Sequence, residues 1–235
     1  MEFNTVSPNT QTIDKSAQAT LFRNVYIWMT LALAITAITA LIVADSPNMI
    51  YAIATNKLLF YGCILGELAL VWYLSARINK LSFSTATICF VVFSVLNGVT
   101  LSFIFLLYTS ASIALTFFVT AGTFAIMALF GTFTKKDLSS WGNILLMALI
   151  GVIIASVANW FFKNEMLYWI ISYVGVIIFV GLTAYDAQKI KRNIEACGNE
   201  INETTQKIAL MGALSLYLDF INLFLFLLRI LGSRR

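Results

Sequence analysis

Long apolar runs, broken by short polar clusters, follow one another along almost the entire chain. An α-helix rises about 1.5 Å per residue, so about 20 apolar residues cross a hydrocarbon core about 30 Å thick. On this basis the pattern predicts seven spans, at about 24–44, 58–76, 82–107, 111–134, 141–162, 166–186 and 208–229. Charge or turn residues mark most of the breaks: Asp45-Ser-Pro-Asn48 after the first span, Arg77 to Lys80 after the second, Lys135-Lys136-Asp137 after the fourth, and Lys163 to Glu165 after the fifth. Only Tyr108-Thr-Ser110 separates the third span from the fourth, which reads as two spans joined by a tight turn. The longest polar connection is expected at about 187–207; the Asn202-Glu-Thr204 sequon within it is a triplet that arises often by chance. Residues 1–20 are polar, without the basic start and apolar core of a signal peptide, so the first span is expected to direct insertion. The predicted fold class is therefore an all-α polytopic integral membrane protein. It has a polar N-terminal segment, 1–22, and a seven-helix transmembrane domain, 23–235.

Composition agrees with this reading and removes several chemistries. Of 235 residues, 60% are apolar and 11% charged, too few charges for a water-exposed surface. There is no histidine, so the usual zinc, copper and haem ligation is absent, as are nucleophile pairs that depend on imidazole. Cys63, Cys89 and Cys197 stand far apart, against both a disulfide framework and a metal knuckle. The net charge of +4 is scattered at span ends rather than gathered on one face, which argues for membrane topology and against nucleic acid. No enzyme activity and no cofactor is expected.

Lysine and arginine set the expected orientation. One side of the membrane receives Lys15, Arg23, Arg77, Lys80, Lys135, Lys136, Lys189, Lys191, Arg192 and Lys207, and the other receives Lys57, Lys163, Arg229, Arg234 and Arg235. The positive-inside rule then puts the N-terminus in the cytoplasm and, after seven crossings, the C-terminus outside. The terminal Arg234-Arg235 pair opposes that placement and leaves open a last segment that re-enters instead of crossing.

An ionised side chain at mid-membrane costs about 2.5–3.5 kcal/mol on insertion scales, so charges there signify a pathway, a relay or an ion pair. Glu67 lies near the middle of the second span and Asp219 near the middle of the seventh; Arg77 closes the second and Asp186 the sixth. In the seventh span Gly212, Ser215, Asp219, Asn222, Phe226 and Arg229 recur at spacings of 3, 4, 3, 4 and 3, which aligns them on one stripe of an otherwise apolar helix. Such a helix is expected to be central in the bundle, its seam against protein or a wet cavity. Asp186 and Arg77 are expected at one depth, with Asp219 about 15 Å deeper by helical rise. A long arginine could bridge one or both aspartates, and two aspartates in one low-dielectric pocket would share a proton. Plainer readings stand beside these: Asp186 paired locally with Lys189, Arg77 snorkelling to mark a span end, and either buried acid serving as interhelical glue.

At these residues the sequence resembles the Bax inhibitor-1 family, also called the transmembrane Bax inhibitor motif family, and specifically its bacterial members. The resemblance runs from about Arg23 to the C-terminus and is strongest in Ile177-Ile-Phe-Val-Gly-Leu-Thr-Ala-Tyr-Asp-Ala-Gln-Lys189, in Gly212-Ala-Leu-Ser-Leu-Tyr-Leu-Asp-Phe-Ile-Asn-Leu-Phe224 and in the Thr134-Lys-Lys-Asp-Leu138 turn. It implies a last helix encircled by the other six and a pH-dependent passive calcium leak, or calcium/proton exchanger, in a bacterial inner membrane. It implies that Asp186 and Asp219 form the pH sensor and a weak, transient calcium site, that Arg77 latches them, and, with a looser match, that Glu67 is a pore acid. Ser215, Asn222 and Arg229, on the same stripe, complete the expected ion pathway.

Two alternatives come from other classes. Some bacterial members are associated with restraining a membrane-bound protease, which implies a non-transporting regulator. An intramembrane aspartyl protease would also use two aspartates in adjacent spans, but it carries Gly-x-Gly-Asp where this chain has Leu216-Tyr-Leu-Asp219. The absence of a P-loop excludes a self-powered pump.

Overall fold

The structure is a computed structural model; it describes residues 8–196 and 200–234, with side chains from Ser16 onward. Residues 1–7, the side chain of Lys15, and Cys197 and Arg235 lie outside the described residues. Nine helices run in order among those described: α1 (Pro8–Ala44), α2 (Pro47–Thr55), α3 (Lys57–Arg77), α4 (Phe83–Leu101), α5 (Ile104–Leu107), α6 (Ser110–Phe133), α7 (Ser139–Phe162), α8 (Glu165–Ala196) and α9 (Glu203–Leu231). Seven spans are long and apolar enough to cross a membrane, with α4 and α5 together forming the third. The protein is an all-α polytopic membrane protein. The predicted spans lie within these helices to within one residue, apart from the Ser102-Phe103 break in the third, and α9 is a single uninterrupted helix of 29 residues, long enough to cross.

Local chemistry fixes the helix ends. Asn56 accepts from the backbone N–H of Leu58 and Leu59 to start α3, Ser82 caps α4 through Thr85, and Thr109 caps α6 through Ser112. The Asn202-Glu-Thr204 triplet opens α9: Asn202 accepts from Thr205 N–H while the Thr205 hydroxyl accepts from Asn202 N–H, a reciprocal capping box. The third span breaks at Ser102, whose hydroxyl donates to the Val99 carbonyl at 2.7 Å and whose N–H is shared between the Gly98 and Val99 carbonyls.

Three features differ from the sequence reading. The first helix begins at Pro8, so the 22/23 boundary lies inside it, and Leu21 and Val25 are already buried in the main core. The short helix α2 occupies a stretch read as connection; Pro47 opens it, and none of its residues is buried. Most consequential, α8 runs about ten residues past Asp186, so the expected 187–207 connection is mostly helix. Its polar side chains find partners the sequence could not show: Lys191 Nζ donates to the Thr132 carbonyl at 2.9 Å, Gln188 bonds Leu138 N–H and the Lys136 carbonyl, and Arg192 pairs with Asp137 at 2.8 Å.

Asp137, in the α6–α7 turn, accepts from the Ser139 N–H at 2.9 Å. That bond, together with Arg192, holds its carboxyl at about 2, below the usual 3.8. A depressed folded-state value stabilises the fold above the unfolded value, and that stabilisation is lost as pH falls through about 2. Wild type and Asp137→Asn should therefore differ in thermal stability by a small, constant amount from about pH 5 to about pH 8 and converge near pH 2. This pair is silent in the neutral range, and any neutral-pH response must arise elsewhere.

Close packing of helices, not water exclusion, holds such a bundle together in lipid. The most buried span is α9, which packs chiefly on α1, α4, α6 and α8; α3 packs chiefly on α4, and α7 on α8. Around α9 gathers a core that includes Phe90, Phe93, Phe124, Tyr217 and Phe220. The rings of Phe90 and Phe93 meet Tyr217 edge to face at 6.0 and 5.5 Å. Two crossings are backbone-close. A Cβ on Gly98 would sit 2.6 Å from the Thr39 side chain and 2.7 Å from the Thr36 carbonyl, and one on Gly131 would overlap the Ala184 carbonyl.

Candidate functional site

The α9 stripe faces a chain of cavities. The first, about 320 Å³, opens among Asn79, Thr204 and Lys207 and reaches Asp186, Lys189 and Ser215. The second, about 510 Å³, shares those last three residues and continues past Asp219 and Asn222 to Phe226. Ser156 lines both the second cavity and a third, of about 440 Å³, which holds Arg229. The stripe read from spacing is thus lined by cavities over most of its length. Phe226 lines the second cavity: its ring stacks on Phe179 at 5.8 Å and lies against the Gly175 backbone, and the Arg229 guanidinium stands 5.1 Å from its centroid.

Asp186 and Asp219 come together in the second cavity. The expected 15 Å offset in depth is smaller because Asp186 is not at a helix end. From Asp186 to Ala196 is about 15 Å of helix, and from Glu203 to Asp219 about 24 Å, leaving roughly 9 Å between them along the axis. Asp219 is 5% exposed, and its Oδ2 has no hydrogen-bond partner among the described residues. Buried polar atoms are nearly always partnered, so an unpartnered carboxyl oxygen facing a cavity marks a place for a proton or a cation. Asp186 is half-buried. Ser215 and Asn222 line the same path, although the Asn222 amide is turned to its own helix and donates to the Leu218 carbonyl at 2.7 Å.

The structure does not bring Arg77 to this pair. Arg77 is exposed at the end of α3, a helix whose chief neighbour is α4, and no ion pair to either aspartate is present among the described residues. The cation that lines both inner cavities is Lys189, its Nζ 5.8 Å from the Tyr185 ring centroid. Arg77 is nonetheless at the same end of the bundle: the next residues, Ile78 and Asn79, line the first cavity together with Asp186. Lys189, read as the local partner of Asp186, is the nearer cation.

Glu67 is also separate from the aspartates. Its carboxyl accepts from Asn97 Nδ2 at 3.0 Å and from the Thr100 hydroxyl at 2.8 Å, tying α3 to α4. The far side of Asn97 meets the Tyr217 hydroxyl at 3.0 Å, and Tyr217 meets Thr36 at 2.7 Å. One polar chain therefore crosses α3, α4, α9 and α1. Sequence reasoning missed Tyr217, because a tyrosine off the polar stripe of an apolar helix reads as core; its signal was a hydroxyl that a buried ring must satisfy.

Among the described residues no three His, Cys, Asp or Glu side chains gather, so a two-carboxylate site is the richest anionic one. Calcium takes six to eight oxygens when held tightly, and two carboxylates suit transient passage.

Fold and site together define a seven-span membrane protein with a carboxylate pair, one buried and one half-buried, lining a cavity. The sequence profile described as inhibitor of apoptosis-promoting Bax1 matches residues 18–235, and the chain belongs to that family, the Bax inhibitor-1 family. It is 51% identical to the inner membrane protein YbhL of Escherichia coli over 216 residues, 92% of each chain. It is also 44% identical to an uncharacterized protein of Borreliella burgdorferi, over 88% of this chain and 89% of that one, and 40% identical to an uncharacterized membrane protein of Streptococcus pyogenes, over 79% of each.

Proposed function

We propose that the protein is a passive, pH-sensitive cation leak of a bacterial inner membrane, with calcium as its cargo. One observation carries the reading: the buried Asp219 oxygen without a partner, on a cavity it shares with Asp186. Two carboxylates lining one cavity hold a cation when ionised and repel each other when it leaves, and a proton on the pair replaces the cation. Weak, multi-site binding favours passage over retention, and the linked cavities supply the route. Phe226, between the aspartate cavity and Arg229, is assigned as the gate of that route. No cofactor and no chemical catalysis are invoked. The positive-inside count supports a cytoplasmic N-terminus, which puts the Lys207 mouth on the cytoplasmic side.

The test is calcium flux into liposomes holding the purified protein, at about pH 6 and about pH 8. Wild type should pass calcium with a rate that changes about tenfold or more over that range. Phe226→Ala should raise the flux several-fold at both values. Which cation restrains the pair is read by comparing Lys189→Met with Arg77→Ala: the one that shifts the pH response is the latch, and the cavity lining favours Lys189. Calcium-tight vesicles at both pH values would overturn the leak and return the chain to its alternative, a non-transporting regulator of a membrane protease.

A further inference from the structure

The end of the bundle where α7 meets α8 and α9 terminates holds a second polar site. After α9 the chain folds back: the Thr109 N–H donates to the Ser233 carbonyl at 3.2 Å, and the Ser233 N–H donates to the Ser112 hydroxyl at 3.0 Å. This fixes Arg234, whose Nη2 donates to the Tyr168 hydroxyl at 3.3 Å. Arg229 lies over the face of the same Tyr168 ring, 5.7 Å from its centroid, and 5.1 Å from that of Phe226. Two guanidiniums thus converge on one tyrosine, and among the described residues neither forms an ion pair. Like charges brought together at a membrane boundary repel each other unless an anion lies between them.

The space between them is shaped for such an anion. Arg229, Arg234, Asn159 and Tyr168 line both a cavity of about 440 Å³ and a neighbouring one of about 530 Å³. The outer cavity adds Lys163, held in a left-handed conformation at the end of α7, and the carboxylate of Glu165. The inner one continues between apolar walls formed by Ile104, Leu107, Trp160 and Leu225. A cationic, hydrogen-bonding mouth above an apolar slot matches a phosphate bearing an acyl chain, and arginine forks bind phosphate oxygens in pairs.

We propose that this cleft binds the phosphate of an anionic phospholipid through Arg229 and Arg234, with an acyl chain along the slot beside Trp160. The cleft includes the third cavity of the path, which Ser156 joins to the aspartate cavity, but the proposal does not require that the chain carry an ion.

Purified full-length protein in detergent is titrated with phosphatidylglycerol, phosphatidylcholine or inorganic phosphate while thermal unfolding is followed, and native mass spectrometry records the lipids retained. Phosphatidylglycerol should raise Tm by several degrees and be retained over phosphatidylcholine by about tenfold or more, as two arginines at a membrane surface warrant. Inorganic phosphate at equal concentration should leave Tm unchanged, and R229Q/R234Q should lose the preference. If the glutamine pair does not fold, R229K/R234K, which keeps the charge but not the fork, must show a reduced preference. Equal retention of the two lipids, an equal rise with phosphate alone, or an undiminished preference in the variants would overturn the proposal.

Discussion

Asp219→Asn is expected to flatten the pH response of calcium flux while leaving the protein folded. Asparagine keeps the shape of the carboxyl but carries no charge at any pH, so the pair loses the proton it would exchange. A one-proton switch changes a population by at most about tenfold per pH unit, so the wild-type response between about pH 6 and about pH 8 should lie between about tenfold and a hundredfold. In Asp219→Asn it should fall to within about twofold. The same substitution separates the site from a structural role. Were Asp219 glue between helices, Asn would weaken the bundle. With Oδ2 unpartnered there is no interhelical bond at that oxygen to lose, and replacing an ionisable group by a neutral one of the same shape should leave Tm unchanged within a few degrees. A flat response with a lowered Tm would assign Asp219 to packing instead.

Gly131→Ala should be the most damaging single-methyl change in the chain. At this crossing α6 meets α8 backbone to backbone, and an added Cβ overlaps the Ala184 carbonyl, which has no rotamer through which to yield. Overpacking of this kind costs about 1–3 kcal/mol and sometimes more, and a fixed backbone neighbour puts it at the upper end. Thermal unfolding in detergent should drop by about 5–10 °C. Gly122 and Gly151, with no heavy atom within 4 Å of an added Cβ, are internal controls. There alanine should be neutral or stabilising by up to about 1 kcal/mol, because it is the better helix former. The Gly131 crossing stands two residues from Asp186, so a shift there should also disturb the pH response of whatever Gly131→Ala protein is recovered.

Seven spans were legible because lipid imposes one rule on every exposed face: long apolar runs, charges at the ends. The polar stripe of α9 was legible for the related reason that only a protected seam tolerates Asp219 and Asn222. The end of α8 was not. Lys189, Lys191 and Arg192 look like a loop because charge usually ends a span, yet Thr132, Asp137 and Ser139, distant in sequence, receive two of them and keep the helix going. Helix adjacency was equally hidden. Periodicity gives the depth of Arg77 but says nothing of which helices surround it, and α3 stands beside α4 with its arginine exposed and, among the described residues, in no ion pair with the aspartates. The two guanidiniums on Tyr168 depend on a chain reversal after Leu231 that no hydrophobic pattern encodes.

The burial of α9 has a consequence for biogenesis. The most buried span follows the other six along the chain. Until it arrives, the buried hydroxyl of Thr36 lacks Tyr217, and the Phe90 and Phe93 rings lack the face they pack on. The first six spans must therefore wait in the bilayer as a loose, open set, and the bundle locks only when α9 has followed them. A chain stopped before α9 should be a substrate for quality-control proteolysis rather than a smaller version of the protein.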